Sequence, residues 1–164
     1  MKNKIKVGCG FDAHRFGSDT NDNNFVVFGG IKIPYQFSLL SHSDGDVVLH
    51  ALTDALLGTI GAGDIGLHFP PNDHKWCDAD SMRFVRYAHE LILIKSGDIQ
   101  NVDITIICES PKILPYREKM QISIASMLHL EVNDVNVKGT TTEKMGFTGR
   151  KEGVACQAVV CVMF

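Results

Sequence analysis

Residues 154–163, Val-Ala-Cys-Gln-Ala-Val-Val-Cys-Val-Met, constrain the fold of this chain more than any other stretch. Read as a strand, the segment sends successive side chains to opposite faces. One face presents Val154, Cys156, Ala158, Val160 and Val162, and the other presents Ala155, Gln157, Val159, Cys161 and Met163. Both are mostly apolar, so both need a cover. A chain of 164 residues fits one domain, 1–164, and its helices can cover one face. Little is left for the second face, which predicts a symmetric oligomer buried around this sheet.

The rest of the chain alternates between elements. Residues 5–11 read as a strand ending at an Asp12-Ala-His14 loop, and 18–24 as a polar surface loop. Residues 25–33, interrupted by Gly29-Gly30, read as a strand or hairpin. Asp44-Gly-Asp46 opens a helix over 47–60, and the Gly/Pro-rich stretch 61–73 reads as a loop. Asp80 or Ser81 caps a second helix that ends at Gly97. Residues 102–109 alternate like a strand, Pro115 suits the first turn of a helix reaching about Leu130, and 135–141 form a further strand.

Composition narrows the partners. The net charge is −3 and Lys and Arg are scattered, which argues against nucleic acid and against a membrane surface while leaving room for a phosphate pocket. No apolar run reaches the ~18 residues of a membrane span. The start, Met-Lys-Asn-Lys-Ile-Lys, runs into a strand-like segment and lacks a secretory apolar core. The five cysteines (Cys9, Cys77, Cys108, Cys156, Cys161) are odd in number and contain no CxxC, so they read as reduced thiols in a reducing compartment.

Two clusters carry ligand-type side chains: Asp12-Ala-His14 and His42-Ser-Asp-Gly-Asp46-x-x-x-His50. An Asp-x-His pair on an extended segment plus one distant His is a three-ligand set. Catalytic zinc uses three protein ligands and keeps a fourth position open, whereas structural zinc takes four, often thiolates. Asp46, His50 and Asp54 share a helix face at i, i+4 and i+8. His50 is thus expected to ligate through one ring nitrogen while a carboxylate one turn away holds the other N–H. His68, His74, His89 and His129 lack such company, and His89 and His129 read as surface or core-edge residues.

A third cluster is Lys138-Gly-Thr-Thr-Thr142-Glu143, followed by Phe147-Thr-Gly-Arg150. Hydroxyls, a Lys and an Arg around glycine turns suit a phosphate cradle, and Glu143 offers a hard oxygen to Mg²⁺ or Mn²⁺. Ser110-Pro-Lys-Ile-Leu-Pro115 follows a strand and has the form of a turn whose backbone could read a planar base, with Lys112 reaching a phosphate.

In this order the clusters resemble those of the 2-C-methyl-D-erythritol 2,4-cyclodiphosphate synthase family. The resemblance rests on Gly10-Phe-Asp-Ala-His14, His42-Ser-Asp-Gly-Asp-Val47, His50-Ala-Leu-Thr-Asp-Ala-Leu-Leu-Gly58, Gly63-Asp-Ile-Gly66, Pro111-Lys112, Thr140-Thr-Thr-Glu-Lys144 and Gly146-Phe-Thr-Gly-Arg150, and it spans nearly the whole chain. It implies an α+β fold: a single domain with a mixed β-sheet, helices on one face, and the other sheet face packed in a homotrimer with active sites between subunits. The implied substrate is 4-diphosphocytidyl-2-C-methyl-D-erythritol 2-phosphate, and the products are the cyclic diphosphate and CMP.

The resemblance also assigns roles. Asp12, His14 and His50 match zinc ligands, and Glu143 matches the ligand of Mg²⁺ or Mn²⁺ bridging the substrate diphosphate. His42 and Thr141 match the catalytic residues that stabilise the transition state. Ser43, Asp64, Ile65 and Gly66 match the methylerythritol pocket, with Phe69 to Asp73 a further substrate loop. Cys108, Pro111, Lys112, Ile113 and Leu114 match the cytidine pocket, and Thr140, Thr141, Thr142 and Glu143 the diphosphate site. Phe147 and Arg150 match positions reaching the substrate or a trimer cavity proposed to hold an isoprenoid diphosphate. Gln157 stands where relatives often carry Glu facing that cavity, and Pro71 where they often carry Asp. The implied location is a bacterial cytoplasm, or a plastid stroma after transit-peptide removal. Two other readings of the clusters are a zinc-dependent phosphoester hydrolase and a non-catalytic trimeric binding protein.

Overall fold

The computed structural model describes residues 4–18, 24–41, 43–70, 72–76 and 79–164. Its centre is the pairing of β1 (Ile5–Phe16) with β7 (Gly153–Met163), antiparallel from Ile5↔Met163 to Arg15↔Gly153. The other edge of β7 carries β5 (Asp98–Ile107), again antiparallel, with a bulge between Ile99 and Asn101. β6 (Val135–Thr140) runs parallel to β5, and the two-residue β4 (Leu39–Leu40) closes the far side, giving the order β4-β1-β7-β5-β6. A parallel pair needs a crossover. Here α4 (Arg117–Leu128) supplies it. β2 (Phe25–Phe28) and β3 (Ile31–Pro34) form a separate hairpin through Gly29-Gly30.

Helix α1 (Val47–Ile60) is buried on almost every side because it lies between the sheet and α3 (Met82–Ile94). Asp46 caps it, accepting from the backbone N–H of Val48 and Leu49, and Gly61 ends it in the left-handed conformation. Two strand glycines set how close it comes to β1. A Cβ on Gly10 would lie 2.0 Å from the carbonyl oxygen of Ala51, and one on Gly8 would lie 1.9 Å from that of Ala55. The helix backbone thus rests on the strand backbone, and Asp12 and His14, further along the same face of β1, come beside His50.

On the helix side of β7, Val154, Cys156, Ala158, Val160 and Val162 are fully buried. The opposite face is poorly covered: on β1 Ile5 is 67% exposed, Val7 64% and Phe11 58%, and their register partners on β7 are the half-buried Met163 and Cys161 and the exposed Gln157. The expected α+β domain with a mixed sheet and helices on one face is the observed one.

Several expectations shift. β1 does not end before Asp12 but continues to Phe16, because β7 pairs with it as far as Arg15↔Gly153 and β4 pairs with Arg15 and Phe16. The loop 61–73 contains a short helix, α2 (Ile65–His68), opened by Asp64. Pro115 lies in a 3₁₀ turn, Leu114–Tyr116, ahead of α4 rather than in its first turn, and β5 starts four residues earlier than expected. α3 ends at Ile94, with Gly97 closing the turn through its N–H to the Ile92 carbonyl. Most of the polar loop 18–24 lies outside the described residues, as does Cys77. Cys9, Cys108, Cys156 and Cys161 are all free thiols.

Candidate metal centre and nucleotide cleft

Asp12 and His14 are two apart on β1, so their side chains leave the same face of the sheet, toward α1. His50 stands on the first turn of α1, buried. Their donor atoms converge. Asp12 Oδ2 lies 3.0 Å from His50 Nδ1 and 3.2 Å from His14 Nε2, and the two imidazole nitrogens are 3.0 Å apart. A tetrahedral ion with bonds of about 2.0–2.1 Å needs ligand atoms about 3.4 Å apart, so this triangle is within a few tenths of an ångström of that size. Burial lowers the pKa of His14 against the opposing pull of Asp12, which favours the neutral imidazole that a cation requires.

Neither helix carboxylate behaves as the sequence suggests. Asp46 does not hold a ring N–H of His50. It is fully buried, and besides capping α1 it accepts from the N–H of Gly29 (2.9 Å) and Gly30 (2.7 Å), tying the β2–β3 hairpin to the helix. Asp54 accepts from Ile65 N at 2.7 Å and so fastens α2. The second nitrogen of His50 instead faces two hydroxyls, Ser43 Oγ at 3.0 Å and Ser81 Oγ at 2.9 Å. Sequence reasoning found Ser81 only as a helix cap. Its contact with His50 spans 31 positions, and no local pattern signals it.

The cluster opens into a pocket of about 300 Å³ lined by His14, Ser43, His50, Ile65, Gly66 and an aromatic wall of Phe69, Trp76 and Phe84. Asp64 is spent capping α2, through Leu67 N at 2.9 Å, and Asp73 pairs with Lys75 at 2.8 Å, so neither lines it. Trp76 is flanked by Lys75 and Arg83, and its indole N–H is buried with no partner among the described residues. His42, a candidate catalytic residue, lies outside the described residues.

A second cleft, about 430 Å³, is lined by Cys108, Pro111, Lys112, Ile113, Leu114, Lys138, Thr140 and Thr141, with Glu109 at its side. It lies between the loop after β5 and the end of β6. Burial, with Glu109 nearby, pushes the Cys108 thiol up to about 11, so it stays a neutral wall atom. Beyond the cleft the Thr-rich turn is partly self-satisfied. Thr142 Oγ1 donates to Met145 O at 2.6 Å, and Thr141 Oγ1 donates to Glu143 Oε1 at 3.1 Å. Glu109 Oε1 accepts from Lys144 N, linking the two loops. Phe147 lines a small groove with His14 and Glu152, and Arg150 is paired with Glu152 at 2.7 Å.

Both sites sit at one end of the sheet, where Asp12 registers with Cys156, Cys156 with Ile106, and Ile107 with Thr140. Three strand spacings separate them, roughly 14 Å. They share no lining residue, and the chain does not bring Glu143 to the Asp12–His14–His50 cluster.

A family model described as the YgbB family matches residues 5–163. The chain belongs to the YgbB family. Relatives of this YgbB-family chain include a 2-C-methyl-D-erythritol 2,4-cyclodiphosphate synthase of Vibrio cholerae, 51% identical over 156 residues that cover 95% of this chain and 96% of that protein. One of the same name from Histophilus somni is 52% identical over 159 residues, 97% and 96% of the two chains. Among solved structures, an IspF of Plasmodium falciparum in a CDP complex superposes with a TM-score of 0.85 at 37% identity, covering 99% of this chain and 98% of that one. The bifunctional IspDF of Campylobacter jejuni matches with a TM-score of 0.92 at 40% identity, over 99% of this chain and 43% of that chain.

Proposed function

We propose that this chain is a 2-C-methyl-D-erythritol 2,4-cyclodiphosphate synthase of isoprenoid precursor biosynthesis. Its substrate is 4-diphosphocytidyl-2-C-methyl-D-erythritol 2-phosphate. A 2-phosphate oxygen attacks the β-phosphorus, the bond from that phosphorus to the bridging oxygen breaks, and CMP departs with the bridging oxygen. No protein nucleophile is required. The observation that carries this reading is the Asp12–His14–His50 triangle opening into a pocket of its own.

Asp12, His14 and His50 would hold a divalent ion, Zn²⁺ by their mixed oxygen and nitrogen set, and Glu143 a second, Mg²⁺ or Mn²⁺. Such ions supply charge neutralisation and polarisation at phosphoryl oxygens. The remaining work is positioning and hydrogen bonding, the main currency of phosphoryl transfer. Ser43, with Ile65, Gly66 and Phe69, shapes the pocket for the methylerythritol unit. The loop from Cys108 to Leu114 takes the cytosine, and Lys112 reaches the phosphates. Thr140 to Thr142 hold the diphosphate. Thr141 and His42 donate to the charge that develops on the phosphoryl oxygens.

The two clefts share no residue, and the sheet face bearing Ile5, Val7 and Phe11 is uncovered. Both features favour a homotrimer that buries this face and joins one subunit's metal pocket to its neighbour's nucleotide cleft. The proposal extends to an isoprenoid diphosphate in the trimer cavity, near Arg150 and the neutral Gln157. Glu152 offsets part of the Arg150 charge there. Bacterial relatives support a cytoplasmic setting.

The test is incubation with the cytidyl substrate, Zn²⁺ and Mg²⁺, following CMP release and the phosphorus-containing product. A cyclic diphosphate formed in step with CMP is expected. Inorganic phosphate or a linear monophosphate would mean hydrolysis by metal-bound water, and metal uptake without turnover would mean a binding protein.

A further inference from the structure

Ser81 occupies the position where a serine ordinarily caps a helix, yet its hydroxyl makes no bond to α3. Asp80 takes the N–H of Met82 instead. Ser81 is fully buried, and its Oγ lies 2.9 Å from His50 Nε2 and 2.5 Å from Asp44 Oδ1. The Ser81 N–H donates to the other Asp44 oxygen at 3.0 Å, and the Asp44 N–H donates to Ala79 O at 3.2 Å. The turn before α1 and the turn before α3 are thus stitched together through one carboxylate.

The bonds from Asp44 through Ser81 to His50 run in one direction. His50 Nδ1 is the nitrogen turned to Asp12 and His14, so an ion held there leaves the proton on Nε2. Nε2–H then donates to an oxygen. The carboxylate of Asp44 has no proton to give, so Ser81 O–H donates to it and turns a lone pair to His50. Ser43 Oγ, 3.0 Å from the same nitrogen, has no carboxylate behind it; its contacts are Ser41 Oγ and the Gly45 N–H.

We infer that Ser81 and Asp44 are positioning residues for the metal ligand His50, a carboxylate–hydroxyl–imidazole relay that locks the ring rotation and strengthens Nδ1 as a donor. Ligating histidines commonly give their second N–H to a carboxylate, and losing that partner typically weakens metal binding 10–100-fold. Here a serine is interposed, contributed by a different helix from the one that carries the ligand. The inference rests on the metal reading of the Asp12–His14–His50 triangle.

The experiment is Co²⁺ and Zn²⁺ titration of the full chain in competition with a chromophoric chelator, with Co²⁺ absorption recorded for each variant. Wild type taking up one ion that His50→Ala loses establishes the metal centre on its own; failure at this stage refutes the metal reading rather than the relay. Ser81→Ala is expected to bind about 10–100-fold more weakly with an altered Co²⁺ spectrum, while the metal-stripped chain, its Ser81 N–H still held by Asp44, melts somewhat lower but in one cooperative step. Asp44→Asn, which keeps side-chain volume, should move affinity and spectrum the same way, and it decides the matter if Ser81→Ala does not fold. Ser43→Ala should stay within a few-fold of wild type. Wild-type affinity and spectrum in a folded Ser81→Ala or Asp44→Asn chain would overturn the relay.

Discussion

Replacing Gly10 with Ala tests how the Asp12–His14–His50 triangle, the candidate metal site, is assembled. The new Cβ would sit 2.0 Å from the Ala51 carbonyl oxygen, 2.7 Å from Ala55 N and 2.9 Å from Asp54 Cβ. Two of these are backbone atoms that cannot rotate away. Restoring an ordinary contact of about 3.5 Å moves α1 off β1 by about 1.5 Å. Ala51 follows His50 on that helix, whereas Asp12 and His14 ride on the strand, so the displacement opens the 3.0 Å Asp12–His50 and His14–His50 separations directly. Metal sites tolerate about 0.2 Å of error in bond length. Gly10→Ala should therefore lose most metal affinity while costing about 1–3 kcal/mol of stability, the usual range for overpacking. Gly58→Ala is the control. It lies inside α1, its Cβ would meet Gly8 Cα at an unstrained 3.6 Å, and it should keep metal and gain about 0.5–1 kcal/mol. Chelator competition and urea unfolding on the two variants decide the outcome. A Gly10→Ala chain with wild-type metal affinity would refute the argument that backbone contact sets the triangle.

Asp46 gives stability a pH dependence. Burial pushes its pKa up to about 6 in the fold, against the N–H groups of Gly30, Leu49 and Gly29 that pull it down, from an unfolded value of 3.8. A raised folded pKa means this contribution is fully present below about pH 4 and is lost as pH rises to about 6, a swing on the order of 3 kcal/mol. Urea unfolding of wild type and Asp46→Asn from pH 4 to 7 should diverge by that component, and a pH-independent difference would sink the assignment. The proposed trimer, with one subunit's metal pocket joined to its neighbour's cleft, predicts complementation. His50→Ala and Lys112→Ala chains, each inactive alone, should regain part of the wild-type CMP release when unfolded and reassembled together. Recovery absent in mixed assemblies of demonstrated composition would overturn the shared active site of the proposed trimer.

The parts of this fold visible in the sequence are those whose signals are local. Helix α1 begins and ends where expected because Asp46 and Gly61 punctuate an unbroken apolar run. Asp12 and His14 were legible as an Asp-x-His pair because an extended segment turns residues two apart the same way, even though the sequence placed them in a loop beyond the strand. The two faces of β7 were legible for the same reason, one fully buried and the other, from Gln157 to Met163, only partly covered in the single chain. What failed depended on distant partners. β1 runs past Asp12 because β7 and β4, far away in sequence, pair with its end. Helix periodicity placed Asp46 and Asp54 beside His50, but it could not know that backbone N–H groups at Gly29, Gly30 and Ile65 would claim them. Ser81 was invisible as a site residue because its partners lie 31 and 37 positions away.

Trp76 has a practical consequence. It is the only tryptophan in the chain, and it stands in the aromatic wall of the pocket beside the Asp12–His14–His50 triangle, between Lys75 and Arg83, with its indole N–H unbonded among the described residues. Indole emission responds to nearby charge and to hydrogen bonding at that N–H. All tryptophan fluorescence from this protein therefore originates at one wall of one pocket. Occupancy of that pocket can be followed optically in the unmodified chain, without label or coupled assay, and separately from events in the second cleft between Cys108 and Thr141.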